Sequence, residues 1–84
     1  MRIFLQQKPA SGAAPRYFQL LLQQDLLGGW TLTRESGQIG GKAQLKREVY
    51  LEQAQAVAAF EKVRDSQIKR GFQIMFAQGA DAPR

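Results

Sequence analysis

Apolar and polar residues alternate with period two through most of the first fifty positions. In "RYFQLLLQQ", Phe18, Leu20 and Leu22 share one face and Tyr17, Gln19 and Gln23 the other, as expected for a strand with one buried side. "WTLTRE" puts Trp30, Leu32 and Arg34 opposite Thr31, Thr33 and Glu35, and "AQLKREVYL" puts Leu45, Arg47, Val49 and Leu51 opposite Gln44, Lys46, Glu48 and Tyr50. "DLLGG" and "SGQIGGK" separate these runs as glycine turns, and "RIFLQQ" is a weaker first strand. From Glu52 the period changes. "EQAQAVAAFEKVRDSQIKRG" is alanine-rich, without internal Gly or Pro, and aligns Ala56, Phe60, Val63 and Gln67 on a stripe flanked by Val57. Lys69 and Arg70 suit the negative end of a helix dipole, Gly71 suits its termination, and no good N-cap residue precedes it. "FQIMF" alternates again, with Phe72, Ile74 and Phe76 expected on one face.

A helix with one apolar stripe and strands with one apolar face must cover each other. The pattern therefore predicts an α+β fold, an antiparallel meander sheet of four to five strands with one α-helix packed on one face. A single domain over residues 1–84 is expected, with its core about 17–76, a loop over 8–15 and a frayed tail over 77–84.

Composition narrows the chemistry. The 84 residues include no cysteine and no histidine, so thiolate or imidazole metal sites, disulfides and histidine-centred relays are all excluded. Glu48 and Glu52 lie across a strand–helix junction with nothing to make them an acid–base pair. No catalytic residue, metal or cofactor is expected, and the chain is read as a non-enzyme. The N-terminus is too short and polar for a signal peptide, and no apolar run approaches bilayer length, so a cytoplasmic protein without membrane contact is expected. Twelve basic against seven acidic residues leave a net charge of +5, which favours a polyanionic partner.

The stretch "GQIGGK" tests the idea of a phosphate loop. Only three residues separate Gly37 from Gly41, Ala43 follows Lys42 where Ser or Thr would hold magnesium, and the next element is a strand. A hairpin turn suits these glycines better than a nucleotide loop.

The ordered set Gly28, Gly29, Trp30, Leu32, Arg34, Glu35, Gly37, Ile39 and Gly40, then the alanine-rich helix around Ala58 and Phe60, then Lys69, Arg70, Gly71 and Phe72, resembles the WGR domain, small bacterial members in particular. The resemblance runs from about Tyr17 to Phe72. It implies an antiparallel sheet with one helix and a module that contacts DNA ends and neighbouring protein domains. The chain departs at the motif that names the family, with Ser36, Gly37 and Gln38 in place of Trp-Gly-Arg. The resemblance implies that the missing tryptophan would pack on a sugar at a strand end and that the missing arginine would contact DNA. Serine offers no ring for stacking, and glutamine offers neither charge nor a guanidinium fork to phosphate.

The expected function is a non-enzymatic, WGR-like module that binds nucleic acid, DNA in the first instance, through backbone charge with little sequence specificity. The candidate contacts are Arg34, Ser36, Gly37, Gln38, Lys42 and Lys46. Lys46 and Arg47 point to opposite faces, so Lys42 with Lys46 is the better phosphate pair. Arg34 either lines a groove or passes the core rim with its stem. Lys62, Arg64, Lys69 and Arg70 read as a solvated helix face beside Glu61 and Asp65. The alternative is a protein–protein interaction module that has lost DNA-end recognition and docks a partner on the open sheet face or an edge. Oligomeric state is left open.

Overall fold

The computed structural model describes residues 1–9 and 11–79. The elements run β1 (Arg2–Gln7), β2 (Arg16–Gln24), β3 (Trp30–Gln38), β4 (Ala43–Tyr50), α1 (Gln53–Lys69) and β5 (Gln73–Gln78). One five-stranded antiparallel sheet has the order β4-β3-β2-β1-β5. Strands β1 to β4 form a meander, and α1 crosses the sheet so that β5 returns beside β1. The expected α+β class, with one helix on the sheet, is the observed one.

The helix packs over β2, β3 and β4. Its predicted stripe is the buried one, since Ala56, Phe60 and Gln67 are buried and Val57 and Val63 pack at the margin. Opposite them lie Ile3 and Leu5 of β1, Leu20 and Leu22 of β2, and Leu32 of β3. Phe60, at 0% exposure, is the largest side chain fully removed from water, worth roughly 1.5–3 kcal/mol relative to leaving it exposed. Ile3 and Leu5 extend the core beyond the expected 17–76 span, because β1 is an inner strand flanked on both sides.

Glu52, the extended residue that caps the start of the helix, makes no side-chain capping bond. The other end of the helix is well closed. Gly71, at φ +97°, donates to the Ile68 carbonyl at 3.0 Å, and Phe72 donates to the Gln67 carbonyl at 3.1 Å. This pair of reversed bonds requires a left-handed residue, which glycine adopts without steric cost. Gln7 Nε2 donates to the Arg70 carbonyl at 2.6 Å and ties the helix end to β1. Phe72 then meets Phe18 edge-on, with ring centroids 6.3 Å apart.

Three expectations are corrected. First, Ser36, Gly37 and Gln38 belong to β3, paired with Phe18, Tyr17 and Arg16, and the turn is confined to residues 39–42. Gly41 donates to the Gln38 carbonyl at 2.9 Å, and Ile39 to the Pro15 carbonyl at 2.8 Å, so backbone bonding carries the strand past the glycine. Second, Phe72, Ile74 and Phe76 do not share a face. The register between β1 and β5 shifts between Phe4 and Leu5, leaving Ile74 opposite Leu5 and Phe76 opposite Phe4. An inserted residue reverses the side of everything after it. Third, Ala77 and Gln78 are strand residues facing Ile3 and Arg2, not tail. Residues 80–84 of the expected tail lie outside the described residues. No helix among the described residues is long and apolar enough to cross a membrane.

Candidate nucleic-acid interface

The sheet registers decide which candidate residues meet. Leu32 pairs with Glu48 and Arg34 with Lys46, so β4 turns its polar row of Gln44, Lys46 and Glu48 to the helix side. Ser36 lies beside Gln44, and Gln38 beside Arg16, on that same side. Arg34, Ser36, Gln38 and Lys46 thus share the helix-side face by strand parity, and Lys42, in the turn before β4, borders the same hollow as Ser36 and Gln38. Gly37 has the opposite parity and contributes only backbone.

A polar row cannot be pressed dry against a helix, and Ala59, Val63 and Ser66 facing it from the helix are small. An open groove of about 1010 Å³ remains between α1 and the β3–β4 hairpin. Ala59, Val63 and Ser66 line the helix wall, and Phe18 and Ser36 line the sheet side. Two smaller hollows adjoin it. One is bordered by Arg16, Gln38 and Lys42, the other by Gln7, Arg16, Arg70 and Phe72. Ser36 and Gln44 line all three, so the position of the missing motif ring is the junction of one branched channel.

Charge is unevenly placed around it. Arg34 Nη2 forms an ion pair with Glu48 Oε1, with both side chains 29% exposed. Tyr50 donates its hydroxyl to Glu48 Oε2 at 3.1 Å. Burial raises the Tyr50 phenol above its usual value, the hydrogen bond and charge of Glu48 raise it further, and Arg34 opposes them. Arg34 therefore lines the groove with its charge already answered. Lys46, Lys62 and Arg70 also line it, and none has a carboxylate in ion-pair range among the described residues.

Topology adds to this asymmetry. The ends of β1 and β3, the starts of β2, β4 and β5, and the C-terminus of α1 all meet at one end of the sheet. The segments involved, 7–17, 36–44 and 66–73, hold Lys8, Arg16, Lys42, Lys69 and Arg70 and no acidic residue. The opposite end carries Asp25 and Glu52. Sequence reasoning missed Arg16, Lys62 and Arg70 as partners of Lys42 and Lys46. Arg16 lies 26 positions before Lys42 (42 − 16), and only strand pairing brings them to one hollow.

The other sheet face carries a different surface. Tyr17 stacks on Phe4, with centroids 5.9 Å apart and planes 19° apart, and donates to Glu35 Oε2 at 2.7 Å. Arg2 sits 5.2 Å above the Phe76 ring. Leu45 and Val49 project from β4 into solvent on this side.

The family model for the WGR domain matches residues 1–76. Neither the curated proteins nor the solved structures contain a match to the chain. With the five-stranded sheet, the single helix and the motif positions at one end of β3 all in place, the match over nearly the whole chain shows that it belongs to the WGR domain family.

Proposed function

We propose that the chain is a non-catalytic nucleic-acid-binding module whose contact surface is the channel through Ser36. Backbone phosphates would be held through charge by Arg16, Lys42, Lys46 and Arg70, with little sequence selectivity and with DNA as the first ligand to test. One observation carries this. Topology collects cations with no ion-pair partner among the described residues around the motif positions of a family associated with nucleic-acid binding, at an end of the molecule whose segments hold no acidic residue. Cysteine-free composition fits residence in the cytoplasm, where such ligands are abundant.

The test is a fluorescence-anisotropy titration with blunt duplex, nicked duplex, single-stranded DNA and structured RNA at low and near-physiological salt. Binding should weaken linearly in the logarithm of salt, by a slope of about 0.9 per phosphate contact on a duplex. The double variant Lys42→Glu/Lys46→Glu should lose at least about tenfold in affinity at low salt. Unchanged binding by that variant would rule out this surface.

A second reading rests on the opposite face. Leu45, Val49 and Phe76 are 56%, 68% and 46% exposed there. Such a surface suits a protein partner. Capture of one consistent protein under nuclease treatment, lost on Leu45→Lys/Val49→Lys, would support it. Capture unaffected by that pair would count against it.

A further inference from the structure

We infer that the groove between α1 and the β3–β4 hairpin takes an unpaired nucleotide of a single strand, its base on the apolar floor and its phosphates on Lys46, Lys62 and Arg70. This rests on the nucleic-acid reading above and says which form of nucleic acid the site prefers.

The lining is what separates a nucleotide site from a simple phosphate patch. Phe18, Ala59 and Val63 provide apolar surface, and Tyr50 adds an aromatic ring. Every base has an apolar π face, so such a surface accepts a base whatever its identity. Gln44 and Gln67 border the same space, and an amide can donate to and accept from the edge of a base. Gln67 is the more telling of the two. It occupies a position of the buried helix stripe and is only 8% exposed, where an apolar residue would pack more cheaply. Its place on the border of two of the channel's three arms gives that buried amide a use.

The rim supplies the charge complement. Lys62 stands on the helix wall, Lys46 on the strand wall and Arg70 at the helix end, all without a carboxylate in ion-pair range among the described residues. Glu48, the single carboxylate lining the groove among the described residues, is already paired with Arg34. Cations on both walls bracket a strand lying in the groove. A duplex is a poorer occupant, because its bases are stacked inside and could not reach the floor without unstacking. The groove volume of about 1010 Å³ leaves room for a base and its sugar, since sites for small ligands span roughly 300–1,000 Å³. A ring at position 36 would stand at the junction of the channel and fill part of this space.

The experiment compares the full chain against three labelled ligands of equal length at low salt, namely a single strand, an abasic single strand with the same backbone, and a duplex. The single strand should bind about tenfold tighter than the abasic one, as stacking of one base allows. Ser36→Trp should abolish that difference. Lys62→Glu, on an exposed helix position, should weaken single-strand binding several-fold without disturbing the fold, which keeps the test open if the tryptophan variant misfolds. The side-chain amide resonances of Gln44 and Gln67 should shift with the single strand and not with the abasic one. Equal binding of the two strands, or tighter binding of the duplex, would overturn the inference and leave backbone-charge binding standing. Competition by a free nucleoside monophosphate as strong as that by the strand would also overturn it, assigning the groove to a free nucleotide. No binding of any ligand would remove both proposals.

Discussion

A Cβ placed on Gly37 would stand 2.5 Å from the carbonyl oxygen of Lys42, the residue that leads into β4. No real side chain tolerates that distance from backbone, and Gly37 is flanked on its other side by Tyr17 of β2. The glycine that survives from the family motif is therefore there for close approach of two strands. Gly37→Ala should force β3 and β4 apart and cost about 1–3 kcal/mol in urea denaturation, as overpacking does elsewhere. In a domain of this size, that is a drop in Tm on the order of 4–8 °C per kcal/mol. An unchanged midpoint would show that the hairpin gives way freely.

The ion pair between Arg34 and Glu48 holds back a charge that the groove would otherwise present. Arg34 Nε is buried without a hydrogen-bond partner among the described residues, which offsets part of what the pair gains. Glu48→Gln should cost only about 0.5–1 kcal/mol of stability, given the partial exposure of both groups. It should also release Arg34 toward a ligand. Nucleic-acid affinity at low salt should then rise on the order of threefold, and the salt slope should steepen by up to about 0.9 on a duplex. Weaker binding would show that Glu48 takes part in contact rather than restraining it.

Tyr17 provides a pH handle. Its hydroxyl donates to Glu35, and that hydrogen bond, with burial and the carboxylate's charge, raises the phenol above its usual value of 10.0. A group whose folded pKa lies above its unfolded pKa adds stability that is complete below the unfolded value and is lost as pH climbs through the folded one. The gap in stability between the native chain and Tyr17→Phe should therefore stay constant from neutral pH to about 10 and shrink above it. Denaturation midpoints of the two proteins measured side by side into the alkaline range would show it. A gap that stays constant to the top of that range would mean the Glu35 contact does not distinguish the two forms of the phenol.

Periodicity alone was enough for several elements. The faces of β2 and β3, the helix stripe through Ala56, Phe60 and Gln67, and the terminating role of Gly71 follow from local rules of strand parity, helical pitch and backbone freedom. These rules act within a few residues, so one chain suffices to apply them. Two local features escaped. Hydrogen bonding to β2 and to β4 extends β3 through the motif, although glycine there looks like a turn. The irregularity between β1 and β5 is a property of two strands, and it reversed Phe76 without leaving a signal in the alternation of β5 itself.

The sequence by itself determined the class of fold, the family resemblance, the absence of histidine and cysteine chemistry and the positive balance of charge. The tertiary structure decided which face of β4 turns to the helix, because the pairing of Leu32 with Glu48 puts Leu45 and Val49 in solvent and the polar row beneath α1. It also decided which cations act together. Arg16, Lys42, Lys46, Lys62 and Arg70 come from β2, the β3–β4 turn, β4, the helix and its end, and they border one channel because strand order and helix crossing bring their segments to it. Charge is a sum over composition, while a binding site depends on distances, and those are set by which strands pair and in what register.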